Sequence, residues 1–455
     1  MGFCAACGDR TPLVQAPTPL STHKGQWIGY NVTEPQELSA VSTQNHGRIS
    51  MGFQEMNRVL GGGLVPGSLV LFAGEPGVGK STLLLQAAGF VANQSAKVLY
   101  ISGEESPHQI KLRSDRLGLS GHGLYLLAET DIERIIQHLD HQLPTLAIID
   151  SVQTLYTQEA PSGPGSVAQV RQCALQVGRW AKARGTPVLL AGHVTKDGTV
   201  AGPRVLEHMV DVILYLEGEN LGSHRLLRSV KNRFGSTNEI AMFQMRSAGL
   251  KEVPDPSKAL LAERNEEAVG SAIVPVLEGS RPLMAEVQAL TSPSSLPAPR
   301  RTANSMDYNR MIMIAAVLTR RAHLGLFNQD IIVNVPGGIK VTEPGADLAL
   351  ALAIASSLRN FPLHRGMAVI GEVGLSGELR SVPQMEARLA EIARLGFSTC
   401  LLPDSTQGKI ASVDNLTLFH APTVTKAIRL ALDITGETWS QSNSSPPTKI
   451  ESEKG

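Results

Sequence analysis

The chain of 455 residues has little that would suit it to an oxidising compartment or a membrane. Its four cysteines, Cys4, Cys7, Cys173 and Cys400, are too few and too scattered for a disulfide framework. No apolar run reaches the roughly twenty residues of a membrane helix. The start, Met1 to Cys7, lacks the basic and apolar regions of a signal peptide. A cytoplasmic protein with no membrane contact is expected. Net charge is also absent: 41 Lys and Arg balance 41 Asp and Glu, so nucleic-acid binding would need local basic clusters. Apolar residues reach 42%, enough for sizeable cores, and the length suggests two to four domains.

Residues 1–10 carry one C-x-x-C pair, Cys4 and Cys7, as in half of a zinc knuckle. Residues 11–47 are rich in Pro, Thr, Ser and Gln and read as a linker. From 48 to about 270, short apolar runs alternate with helical patterns. The candidate strands are Leu69–Ala73, Lys97–Ser102, Leu146–Asp150, Pro187–Gly192 and Asp211–Leu216. That alternation implies an α/β domain with a mostly parallel sheet. A second α/β unit is expected over 271–437, with strands near Ile331–Val335, Ala368–Ile370 and Thr399–Leu402 and a helix over Asp347–Leu358. Ser292–Pro299 reads as a loop or boundary, and 438–455 as a disordered tail.

The run Gly74-Glu75-Pro76-Gly77-Val78-Gly79-Lys80-Ser81-Thr82 fits the phosphate-binding pattern G-x-x-x-x-G-K-[ST]. An apolar strand precedes it and a helical pattern follows, so an ordinary glycine-rich turn is the weaker reading. Glycines let backbone N–H groups close on phosphates, and the helix N-terminus adds its positive dipole end. Lys80 would reach the β- and γ-phosphates of ATP, and Ser81 would ligate Mg²⁺. Asp150 ends an apolar strand, where it would hold Mg²⁺ or merely cap a turn. Glu104 and Glu105 end another strand, as a general base or as a solvated acidic turn. His193 ends a third, as a γ-phosphate sensor or a satisfied core histidine.

Four segments carry a family resemblance: Arg48 to Gly63, the P-loop, Tyr100 to Ser106, and Lys231-Asn232-Arg233-Phe234-Gly235. With them the chain resembles the RadA (Sms) family, bacterial DNA repair and recombination ATPases of the RecA superfamily. The resemblance runs from about Gly2 to about Thr435. It implies a RecA-like P-loop core followed by a Lon protease-like domain. It implies a DNA-dependent ATPase that binds single-stranded DNA and drives branch migration of recombination intermediates. A homo-oligomeric ring, expected to be a hexamer, and the recombinase RecA as partner come with it. By the same resemblance Glu104 is the catalytic candidate over Glu105, and His193 holds the sensor position. Lys231 and Arg233 would then act across a subunit interface, as arginine fingers do, or couple ATP to DNA.

The chain departs from that pattern twice. The family begins with two C-x-x-C pairs; Cys4 and Cys7 match only the second, and two cysteines cannot close a tetrahedral zinc site. Zinc binding is left open. In the Lon-like unit, the position of the nucleophilic serine falls on Gly345 and that of the lysine on Glu386, so peptide hydrolysis has no chemistry there. Arg300, Arg301, Arg310, Arg320, Arg321 and Lys340 are candidates for contacting DNA phosphates. Two other readings stand beside the motor: an ATP-binding regulatory switch acting on a protein partner, and an ATP-dependent protease, which the missing dyad disfavours.

Overall fold

The computed structural model describes residues 37, 39, 47–193, 206–218, 224–296, 298–337 and 339–432. Cys4 and Cys7, nearly all of the 11–47 linker and the 438–455 tail lie outside them.

The apolar runs between 69 and 252 become one sheet. Its strands are β1 (Leu69–Gly74), β2 (Val98–Ser102), β3 (Leu124–Ala128), β4 (Leu146–Asp150), β5 (Val188–His193), β6 (Val212–Gly218), β7 (His224–Asn232), β8 (Ile240–Arg246) and β9 (Gly249–Glu252). The order is β3-β2-β4-β5-β1-β6-β7-β8-β9. The first six positions are parallel and the last three strands add antiparallel. Every residue of β1, β2 and β4 is buried. Such continuous apolar strands belong to a parallel sheet covered on both faces. Helices α1 (Gln54–Val59), α2 (Lys80–Asn93) and α3 (Pro107–Arg116) pack on one side. Helices α4 (Ile132–Gln142) and α5 (Val167–Arg184) pack on the other, around Trp180.

After α6 (Pro256–Leu261) a second sheet begins. Its order is β12-β13-β11-β10-β14-β17-β18. The strands are β10 (Ser271–Glu278), β11 (Arg281–Pro293), β12 (Arg301–Asn304), β13 (Gln329–Asn334), β14 (Met367–Val369), β17 (Thr399–Pro403) and β18 (Thr417–Ala421). A small hairpin, β15 (Glu372–Val373) with β16 (Leu379–Arg380), stands apart. Helices α7 (Tyr308–Arg321), α8 (Asp347–Arg359) and α10 (Val424–Ala431) cover one face, and α9 (Met385–Arg394) the other. Ser292 and Pro293 extend β11, so the Pro/Ser-rich stretch ends a strand inside this unit.

The β10–β11 turn is seated on the first unit. Arg228 Nη1 donates to Glu278 Oε2 at 2.5 Å, and Arg281 Nη1 to Glu55 Oε2 at 2.8 Å. At the tip Gly279 has φ +67°, and an added Cβ would lie 2.0 Å from the Asn238 carbonyl oxygen. Only glycine tolerates both the dihedral and the contact.

The residue beside Gly345 corrects the sequence reading. It is Arg388, whose Nη1 lies 3.2 Å from where a Gly345 Cβ would stand. Helix periodicity explains this: Met385, Arg388, Leu389 and Ile392 form the inner face of α9, and Glu386 points to solvent. Arg388 is wholly buried and grips Glu343 with two bonds, Nη1 to Oε1 at 2.9 Å and Nη2 to Oε2 at 2.5 Å. It also donates to the carbonyls of Pro275 and Pro383, at 2.5 and 3.0 Å. A guanidinium stays protonated and cannot act as the general base of a dyad.

Two of the candidate DNA-contacting cations are likewise taken up by the fold. Arg310 holds the buried Asp347, Nε to Oδ1 at 2.7 Å and Nη2 to Oδ2 at 2.5 Å. Arg301 donates to the carbonyls of Leu326 and Gln329. Arg300, Arg320, Arg321 and Lys340 remain exposed.

Removing one partner of a buried ion pair strands the other. Arg388→Ala is expected to destabilise the second unit by about 3–5 kcal/mol, whereas the exposed Glu386→Ala should change it by less than about 0.5 kcal/mol. Urea unfolding of the two variants checks the contrast.

Candidate nucleotide site

Parallel register brings distant residues to one edge of the first sheet. Gly74, closing β1, pairs with His193, closing β5. Ser102, closing β2, pairs with Asp150, closing β4. The turns after these four strands therefore open at the same end, where ligands of open α/β sheets bind.

The loop Glu75–Gly79 leads from β1 into α2. Gly77 and Gly79 have φ of +76° and +113°. A Cβ on Gly79 would meet Met245 Cε at 2.7 Å, and one on Gly74 the Leu216 carbonyl oxygen at 2.5 Å. Glu75, Pro76 and Gly77 are exposed; Val78 is buried. Arg225 braces the loop, Nε donating to the Val78 carbonyl at 3.1 Å. Ser81 and Thr82 sit half-buried in the first turn of α2.

Lys80 is buried, and its Nζ donates to the carbonyls of Gly74 and Glu75, both at 3.0 Å. Burial pushes its pKa below the ordinary lysine value, while Asp150 and Glu104 oppose that shift. The ammonium also lies 3.1 Å from His193 Nδ1. An ammonium has no acceptor, so His193 Nδ1 must accept and its proton sits on Nε2. Nε2 then donates to Glu104 Oε1 at 3.2 Å. The same oxygen accepts from Ser151 Oγ at 2.5 Å.

The two adjacent acids diverge. Glu104 joins this chain of contacts, whereas Glu105 turns to Arg113 of α3. Ser106 fixes the divergence by starting α3 with a capping box shared with Gln109. Asp150 is buried, and its Oδ2 accepts from Tyr100 Oη at 2.7 Å. Burial first, then the Asp150 charge, raises the Tyr100 phenol well above its ordinary pKa, so it remains a donor.

Lys231, Asn232, Arg233, Phe234 and Gly235 are elsewhere. β7 runs antiparallel to β6, with Asn232 opposite Val212 and Arg225 opposite Gly218. The motif thus lies beside the start of β1, a strand's length of roughly 17 Å from its own P-loop. Arg233 Nη1 donates to Asp211 Oδ1 at 3.2 Å, and Asp211 Oδ2 accepts from Leu69 N at 3.1 Å. Lys231 Nζ donates to the carbonyls of Glu207 and Val210 at 2.5 and 2.9 Å. Asn232 Oδ1 accepts from Phe234 N at 2.8 Å, closing the turn. Arg48 Nη2 donates to the Phe234 carbonyl at 2.9 Å, and Gly235 packs on Gly61.

Among the described residues no group of three or more His, Cys, Asp or Glu could hold a metal. Mg²⁺ at a phosphate loop needs fewer, because it keeps several waters. The Ser81 hydroxyl and the Asp150 carboxylate are hard oxygen donors of the kind it takes, so the residues fit. Cys173 and Cys400 are free and buried in different cores, which removes them from any zinc set with Cys4 and Cys7. Burial pushes the Cys173 thiol up to about 12 and raises Cys400 further. Ser151 and Arg225 were missed from sequence, since neither belongs to a recognisable spacing. No helix among the described residues is long and apolar enough to cross a membrane.

Comparison with known proteins places these features. An AAA domain model matches residues 33–199, and a model of subunit ChlI of Mg-chelatase matches 306–406. The DNA repair protein RadA of Halalkalibacterium halodurans is 46% identical over 435 residues, 95% of each chain. That of Bacillus subtilis is 44% identical over 440 residues, again 95% of each. The crystal structure of the RadB recombinase aligns at 24% identity and a TM-score of 0.37, covering 45% of this chain and 99% of that one.

Gly79→Ala tests the loop directly. The residue would be strained at φ +113° and would press on Met245. We expect affinity for a fluorescent ATP analogue to fall at least about tenfold, some 1.4 kcal/mol, with circular dichroism unchanged.

Proposed function

The chain belongs to the RadA family of DNA repair proteins, and on that premise we propose that it is a DNA-dependent ATPase motor. In this reading it binds single-stranded DNA and drives branch migration of recombination intermediates by hydrolysing ATP. The supporting observation is the meeting of Lys80, His193 and Glu104 at the sheet edge that also carries Ser81 and Asp150.

Lys80 would exchange its two loop carbonyls for the β- and γ-phosphates of ATP. Desolvated contacts of this kind stabilise the charge that develops during phosphoryl transfer. Ser81 and Asp150 would hold Mg²⁺, which when bound offsets phosphate charge. Glu104, through its carboxylate, would orient and deprotonate the attacking water. His193 would report the state of the γ-phosphate, since it touches both Lys80 and Glu104.

Lys231 and Arg233 lie too far from their own P-loop to serve it. A ring, which we take as a hexamer, would bring them to a neighbour's nucleotide. Of the candidate cations, Arg300, Arg320, Arg321 and Lys340 are the exposed ones left to meet DNA phosphates. RecA is the proposed partner on those intermediates. The protease alternative has no nucleophile at Gly345 and no base at Arg388.

Glu104→Gln should lower kcat about 10²–10⁴-fold, while Glu105→Gln, which loses only the Arg113 pair, should stay within about threefold. Equal losses in the two variants would contradict the assignment. Mixing Lys231→Ala with Glu104→Gln subunits should restore DNA-stimulated turnover at mixed interfaces. Turnover no higher than that of the separate variants would argue against a shared site.

A further inference from the structure

Glu104 needs a fixed carboxylate to act on a water, yet its side chain is 42% exposed. An exposed glutamate samples several rotamers, and each wrong one removes the base from its target. Its own strand does not hold it. Among the described residues, the buried group that donates to it is Ser151, 47 residues away in sequence, with Oγ donating to Oε1 at 2.5 Å.

Ser151 is itself rigidly placed. It is wholly buried, directly after Asp150. Its carbonyl accepts from Thr154 Oγ1 at 2.8 Å and from Thr154 N at 3.3 Å, closing the turn Val152–Thr154. That turn is locked to the one bearing Glu104. Gly103 N donates to the Asp150 carbonyl at 3.0 Å. A Cβ on Gly103 would stand 2.0 Å from Thr154 Oγ1, so the residue before Glu104 has to be glycine for the two turns to close. Ser151 and His193 both use Oε1. Among the described residues Oε2 has no partner, which leaves it for water.

We propose that Ser151 is a positioning residue for ATP hydrolysis: its buried hydroxyl pins Oε1 of Glu104 so that Oε2 faces the attacking water. This rests on Glu104 being the general base.

The test is a double-mutant cycle. Ser151→Ala and Ser151→Cys are made in the wild-type and Glu104→Gln backgrounds; the thiol preserves packing but is a weak donor. Readouts are kcat at saturating ATP and single-stranded DNA, and equilibrium affinity for a fluorescent ATP analogue. Both single variants should lose about tenfold in kcat, the size of one hydrogen bond to a charged group. Nucleotide affinity should hold within about twofold, so the loss appears in kcat alone. In the Glu104→Gln background neither should cost anything further. Ser151→Cys with the wild-type rate overturns the proposal. So do losses that add fully to that of Glu104→Gln, because they would show Ser151 acting on something else. A wild-type rate for Glu104→Gln alone would instead overturn the assignment of the base.

Discussion

Strand register at β1 is the constraint on which both ends of the first unit depend. At its C-terminal end, register with β5 sets Gly74 beside His193, and hence Lys80 within reach of the imidazole. At its N-terminal end, Leu69 N is held by Asp211, the residue that also anchors Arg233. One strand of six residues therefore ties the phosphate loop to the Lys231–Gly235 motif through a single rigid ladder. A slip of one residue would reverse every side chain of β1 between two apolar faces. Fully buried flanks make such a slip costly, so the separation between loop and motif is a fixed length.

Much of this was legible in sequence because it is local. The core strands of the first unit are continuous apolar runs, and their ends matched the structure to within two residues. The phosphate loop announces itself by glycine spacing. What stayed hidden is nonlocal or depends on helix phase. Ser151 reaches Glu104 only because β2 and β4 lie side by side. Arg388 rather than Glu386 meets Gly345 because α9 turns that face inward, a choice set by Met385, Leu389 and Ile392. Arg310 reads as one more surface cation until its partner Asp347, 37 residues on, is placed by folding.

The second unit shows how a fully buried guanidinium is accommodated. Gly345, with no side chain, leaves room for the Arg388 guanidinium. The pair with Glu343 is bidentate: two donors meet two acceptors, and two further N–H groups reach carbonyls. Glu343 Oε1 also accepts from Leu277 N at 2.7 Å, so the cluster joins β10, the segment before α8, and α9. Buried ion pairs seldom exceed apolar packing in net stability, because desolvation offsets their attraction. Their effect here is to fix geometry, since four of the five guanidinium N–H groups each meet an acceptor.

Helix α1 shows how such fixed geometry extends between the units. It has only six residues, too few to be stable alone. Its amino end is held by Glu252, whose carboxylate accepts from the N–H groups of Gln54, Glu55 and Met56. Glu55 in turn receives Arg281 from the second unit and Arg58 from its own next turn. At the other end the Val59 carbonyl accepts from Asn232 Nδ2 at 3.3 Å, within the Lys231–Gly235 motif. A short helix buried through Met56 and Val59 and bonded at both ends cannot relax independently of what it touches. The motif, the rim of the first sheet and the β10–β11 turn thus share one small element. A displacement of any of the three must be taken up by the other two or by breaking these bonds.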